Sequence, residues 1–429
     1  MTLANLKKAT LIAIKRPHVE PHDEQPEVFR YTVRVTGEEN NPLDCYELYL
    51  GRDVSPGRPC IIEWGDGNVY YEGGQVSPFQ RAAWMPHLYA QPGTYRVTIK
   101  ADIYNINLYR FESHSSRDGY ALISIDSVLP QHLREKDDFS YTFQKNKNLI
   151  QLPGGLFKNC SGATNFAYCF SRCDKIPMLP KDMFANCTRA TTFYRTFERC
   201  VSLRKIPEEL FSSSPNADDF RACFSGCTSL TEIPEDLFSN NTQATRFDAC
   251  FFGCASITEI PEDLFVNNTQ AVYFTSCFSD CTSLAEIPEE LFAANTQATD
   301  FSSCFCDCTS LAEIPEDLFA NNPQATNFFQ CFSGCTSLAE IPENLFENNT
   351  QVTDISRCFY GCTNLADIPG DLFANIPQNA DFSYCFFNCS GITGSVPDLW
   401  ETHPNASHSR CFFGCVNAAN YADIPADWK

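Results

Sequence analysis

One phrase recurs along the chain at nearly constant spacing, and no other feature limits the possible folds as much. In full it reads FTSCFSDCTSLAEIPEELF at residues 274–292. The aliphatic residue before its marker proline falls at Leu152, Leu179, Ile206, Ile233, Ile260, Ile287, Ile314, Ile341, Ile368, Val396 and Ile424. Successive steps are 27 residues as far as Ile368 and 28 for the last two, which makes eleven copies of one unit. A fixed period in the range of about 20 to 50 residues predicts a solenoid, in which each unit packs only on its neighbours.

Spacing inside the unit gives a first reading of its structure. Phe247, Cys250, Phe251 and Cys254 stand at i, i+3, i+4 and i+7, which is one stripe of an α-helix with about 3.6 residues per turn. Residues 282–287, apolar at Leu284 and Ile287, fit one short strand per unit. Pro288 with Glu289 and Glu290 behind it reads as the start of a helical turn, since proline is tolerated at the first position and acids favour the positive end of the dipole. Asn267-Asn268 is a candidate for closing that turn in a left-handed conformation. Strands repeat at about 4.8 Å while helices need about 8 to 10 Å between axes. The expected fold is therefore a curved α/β solenoid with strands on its inner face.

The phrase Cys-Phe-x-x-Cys-x-x-Leu-x-x-Ile-Pro resembles that of the BspA-like leucine-rich-repeat proteins, which are common in bacteria of the gut and mouth and associated with adhesion. The resemblance covers residues 138–429. It implies a solenoid of leucine-rich-repeat type, and it leaves function to surface residues, because such scaffolds vary their binding positions.

Ahead of the repeats the pattern changes to alternation, as in YTVRV at 31–35 and YELYL at 46–50, which marks strands. IIEWGDG at 61–67 and HLYAQPGTYRVTI at 87–99 follow. Together these resemble the PKD-type immunoglobulin-like domain and imply an all-β sandwich over residues 28–112. In that family the motif is structural: Trp64 belongs to the core, Asp66 between two glycines makes a turn, and Tyr95 lies in the last strand. Neither Asp66 nor His87 is promoted to a catalyst on this reading. Residues 1–27 read as an arm and linker without a secretory signal, and residues 113–137 as a linker and solenoid cap. Trp428 is placed to cover the last rung.

Twenty-four cysteines would ordinarily suggest disulfides or metal. Most stand in two columns, represented by Cys250 and Cys277 in the first and Cys254 and Cys281 in the second. Partners four apart on a helix have β-carbons about 5 to 6 Å apart, beyond the usual disulfide range of about 3.5 to 4.5 Å. Thr196 replaces one column member, and Thr142 and Asn146 replace both in the first unit, losses that a metal ladder would not tolerate. The columns read as buried free thiols, with no metal and no cofactor. Cys45 and Cys60 could pair if the compartment is oxidising, and Cys306 is the candidate for an exposed thiol.

Glu232, Glu259, Glu286, Glu313, Glu340 and Asp367 form an acidic column before the aliphatic residue, and a second follows the proline. This is either a candidate acidic binding face or a solvated face that keeps the rod soluble. The net charge is -22, and residues 247–429 carry 3 Lys+Arg against 24 Asp+Glu. Such a surface excludes nucleic acid as a partner. No run reaches about 18 apolar residues, so no membrane insertion is expected. No phosphate loop, nucleophile elbow or His-Glu-x-x-His is present, and within the repeats histidine occurs only at His403 and His408. The sequence thus points to a non-enzymatic binding protein. The first expectation is a phage virion component, joined to other virion proteins through its N-terminal domain and meeting protein or glycan on a cell surface. A BspA-like surface adhesin and a cytosolic interaction scaffold are the alternatives. Variable positions such as Arg246, Tyr273, Asp300, Asn327 and Asp354 are where a ligand would be sought.

Overall fold

The computed structural model describes residues 28–35, 45–51, 60–72, 83–100, 105–107 and 120–429. The expected N-terminal arm lies outside these residues.

Among the described residues, eight strands precede the repeats: β1 (Val28–Val35), β2 (Cys45–Gly51), β3 (Cys60–Glu63), β4 (Val69–Glu72), β5 (Ala83–Leu88), β6 (Gly93–Lys100), β7 (Asn105–Asn107) and β8 (Tyr120–Ile125). They form a five-stranded sheet in the order β4-β3-β6-β1-β8 and a three-stranded sheet in the order β5-β2-β7. Alternation decides which face is covered: Phe29, Tyr31, Val33 and Val35 of β1 are buried, as are Val97 and Ile99 of β6. Cys45 opens β2 in one sheet and Cys60 opens β3 in the other; their pairing lies outside the described side chains.

β8 falls in the segment that the sequence assigned to a linker and solenoid cap, and it is a full strand with two partners. One edge pairs antiparallel with β1 across a register shift between Thr32 and Val33. The other meets the first coil, where Ile125 N donates to Gln151 O at 3.0 Å and Ile150 N to Ile123 O at 2.9 Å. Asp126 fastens the corner. It accepts from Thr32 Oγ1 at 2.7 Å and Arg96 Nε at 3.2 Å, and its own N–H donates to Arg30 O at 2.9 Å. The edge of the sheet, a liability if left open, is thereby covered by the repeats.

The repeats are coils of chain held to their neighbours by a parallel ladder. Bridges join Asp138, Asn165, Thr192, Asp219, Arg246, Tyr273, Asp300, Asn327, Asp354, Asp381 and Ser407 in succession. The rung thus lies just before the first phenylalanine of the unit, or before Ile355 and His408 where that residue is replaced, and the strand expected at 282–287 is not there. Coil-to-coil contact is also made by rings. Phe247 stacks on Phe274 at 5.8 Å and Phe274 on Phe301 at 5.7 Å. A second column runs Phe251, Phe278 and Phe305 at 5.6 and 5.7 Å. Rings of a third column cross the first, as Phe265 does Phe247 at 4.7 Å. Aromatic pairs of this kind add about 0.5–1.5 kcal/mol each beyond the area they bury.

The helical stripe of the sequence is not a helix. Among the described residues the only α-helix is α1 (Leu399–Thr402). Phe247, Cys250, Phe251 and Cys254 instead close two successive four-residue turns, Cys250 N donating to Phe247 O at 3.0 Å and Cys254 N to Phe251 O at 3.1 Å. The third residue of each turn is left-handed, Ala249 at φ 53° and Gly253 at φ 68°. N–H groups between these donate outward, Phe247 N to Tyr273 O at 3.0 Å and Phe251 N to Cys277 O at 2.9 Å. A helix would consume those donors internally and would hold neighbours too far apart for ring-on-ring stacking. Turns of four residues and a helix place buried side chains at the same three-and-four spacing, so the pattern alone could not separate them.

Asn268 does not close a left-handed turn either. It is fully buried, and its Nδ2 donates to Phe238 O at 3.1 Å and Asn241 O at 2.9 Å, both in the preceding coil. Asn241, Asn295, Asn322 and Asn349 do the same in their coils. The column begins with Cys160, Cys187 and Ser214 and ends at His403, whose ring contacts Ile376 O at 3.2 Å. Trp428 closes the far end: it is buried, accepts the Phe412 N–H at 2.9 Å and stacks on His408 at 4.2 Å.

Candidate functional site

In the N-terminal domain the motif residues brace one another. Gly65 permits the turn because it has φ +86° and a Cβ there would lie 2.6 Å from Arg96 O. The turn aims Asp66 at His87, with Oδ2 2.8 Å from Nε2, while Asn68 donates to the same carboxylate from its backbone and side chain. Burial works to raise the Asp66 pKa, but these hydrogen bonds outweigh it and hold the carboxyl below its ordinary value. Trp64 stacks flat on His87 at 4.5 Å, Tyr89 donates to Trp64 O at 3.0 Å, and Tyr95 stacks on Tyr89 at 4.3 Å. Asp66 and His87 are thus engaged with each other within this set, as a brace would be.

The cysteine columns face inward. Cys250, Cys254, Cys277 and Cys281 are free and fully buried. In the second column each thiol donates to a carbonyl of the coil before, Cys254 Sγ to Phe224 O at 3.2 Å and Cys281 Sγ to Phe251 O at 3.3 Å. Asn146, at the same position in the first coil, donates instead within its own turn, to Phe143 O at 2.8 Å. Burial raises these pKa values, that of Cys281 to about 12, so the thiols are poor nucleophiles. Cys306 is the half-buried exception, 3.4 Å from Asp307 Oδ2; burial and that carboxylate push its thiol up to about 12 as well.

Glu232, Glu259, Glu286, Glu313, Glu340 and Asp367 are all exposed. Glu232 pairs with Lys205. A shallow groove of about 510 Å³ runs between the column of Glu286, Glu313 and Glu340 and that of Glu289 and Glu316. Among the described residues no three His, Cys, Asp or Glu side chains converge to hold a metal ion, and no helix is long and apolar enough to cross a membrane.

A second surface, formed by the turns that follow each rung, was only partly found by sequence. The positions singled out for variability, Arg246, Tyr273, Asp300, Asn327 and Asp354, form the rung column itself. Beside them, in the early coils, arginines lie over rings and pair with acids of their own turn. Arg221 sits 4.8 Å from the Tyr194 centroid and binds Asp219 at 2.7 Å; Arg246 sits 4.8 Å from Tyr273 and binds Asp248 at 3.1 Å. In the late coils Arg357 lies between Phe329 and Tyr384, 5.9 and 5.2 Å from their centroids, and no described ion pair engages it. Next to it Tyr360, Phe387 and Phe413 form a stack at 5.0 and 4.9 Å. Reading down the sequence at a 27-residue stride, and marking positions where the repeat fails to repeat, is the signal that would have found these residues.

Compared with known proteins, the chain matches no family model, and no curated protein is similar to it.

Proposed function

We propose that this chain is a non-enzymatic display and binding protein, a bacteriophage virion component held through its immunoglobulin-like N-terminal domain. Its stacked coils would carry the surface that meets protein or glycan on a host cell. One contrast within the chain carries the binding half of this reading. Buried columns keep a single residue type from coil to coil, phenylalanine and cysteine above all, whereas the rung column reads Arg246, Tyr273, Asp300, Asn327 and Asp354 in five successive coils. Folding alone needs the first and does not need the second. The acidic column from Glu232 to Asp367, alike across six successive coils, suits solvation and repulsion between rods better than recognition.

Attachment is tested by quantitative mass spectrometry of purified virus particles against the cell-envelope fraction of the same culture. Fixed stoichiometry to a capsid or tail protein is the expected result. Recovery with the envelope would replace this reading by that of a BspA-like surface adhesin, and recovery in neither by a cytosolic scaffold.

A further inference from the structure

The ring stack of the late coils stops abruptly. Its column continues toward the N-terminus through Ser333, Cys306 and Ser279, so the ring of Tyr360 has Phe387 against one face, at an interplanar angle of 0°, and a small residue beyond the other. The space a further ring would take is a groove of about 470 Å³ over Ser333, walled by Asp307, Gln330, Arg357 and Tyr360. Gly334 has φ +73° and no Cβ, and Asp307 leans over it into the space so left. Arg357 is clamped between two rings, so its guanidinium is ordered before any ligand arrives.

We propose that this groove binds one pyranose ring of a neutral glycan, its C–H face on Tyr360 and its hydroxyls on Asp307, Gln330 and Arg357. This rests on the reading of the chain as a binding protein and names the ligand class and the place. Three observations select the occupant. The volume suits a small ligand, for which pockets run about 300–1,000 Å³. The walls bear one carboxylate and one guanidinium, which match a ligand without net charge. A purely apolar ring would strip water from Asp307, Gln330 and Arg357 and return no hydrogen bond, leaving three polar groups unpaired. A sugar pairs them with its hydroxyl groups while still covering the face of Tyr360.

The full chain is applied to an array of neutral oligosaccharides ending in glucose, galactose, mannose or N-acetylhexosamine, and the glycan retained is titrated calorimetrically. Tyr360→Ala should weaken binding about thirty-fold, the scale of losing a central aromatic anchor, while Tyr360→Phe should stay within about three-fold. Ser333→Tyr extends the stack into the groove with a residue its column already carries at the next coil, so it should abolish binding with the melting temperature retained. Glycan binding that all three variants leave unchanged would overturn this site while keeping a glycan-binding protein. No retention of any neutral glycan, or retention of a protein partner only, would overturn the proposal itself.

Discussion

Raising the pH should unfold the coils abruptly at a value set by their thiols. Of the 22 cysteines whose side chains are described, all within the repeats, 21 are buried. Burial raises their pKa values, those of Cys227 and Cys362 to about 12, against an unfolded value of about 8.5 to 9. The folded state therefore holds these protons more tightly than the unfolded chain does. Their contribution to stability is intact below about pH 8.5 and is lost as pH rises toward the folded values. In that window each thiol withdraws about 1.4 kcal/mol per pH unit, hence about 2.7 kcal/mol for the two column thiols of a coil. Summed over the buried set, one pH unit removes roughly 29 kcal/mol, more than the whole stability of about 5–15 kcal/mol typical of a domain. Far-ultraviolet circular dichroism and thiolate absorbance, followed together at fixed ionic strength, should change in one steep transition between about pH 8.5 and 9.5. Thiolate absorbance that climbs smoothly from about pH 8.5 while the dichroism holds would mean that the thiols are solvated in the folded chain, and would refute the argument.

Three further outcomes follow from the same packing. Reducing agent should leave the melting temperature of the repeats unchanged, since the described cysteines are unbonded; a marked drop would show that cross-links hold the coils. Asn295→Ala removes the donor shared by Phe265 O and Asn268 O, and should cost about 2–4 kcal/mol in urea denaturation. Gly65→Ala drives a methyl group against Arg96 O at a positive φ, and should cost at least about 2 kcal/mol and erase the near-ultraviolet signal of Trp64.

The 27-residue stride is visible in any written form of the sequence, and it passes directly into the spacing of the bridges, as from Arg246 to Tyr273 to Asp300. Local conformation was harder to read. A stripe such as Phe247, Cys250, Phe251 and Cys254 shows that side chains recur on one side every three to four residues, and two turns satisfy that as well as a helix does. What separates them is where the N–H groups go, and that depends on a neighbour 26 residues away, as when Phe247 donates to Tyr273 O. Asn268 was misjudged for the same reason: its partners, Phe238 O and Asn241 O, are 30 and 27 residues back. The groove over Ser333 is illegible in any single unit, because it is defined by the difference between Ser333 in one coil and Tyr360 in the next.

Interior coils repeat the same ring and amide contacts above and below, as along Phe247, Phe274 and Phe301 and along Asn268 and Asn295. A recombination event between repeats that added or removed one whole unit would leave the contacts of the phenylalanine and asparagine columns with equivalent partners. Reach would then change in steps of about 4.8 Å, and the gene could adjust the length of the molecule like a ruler cut at its markings.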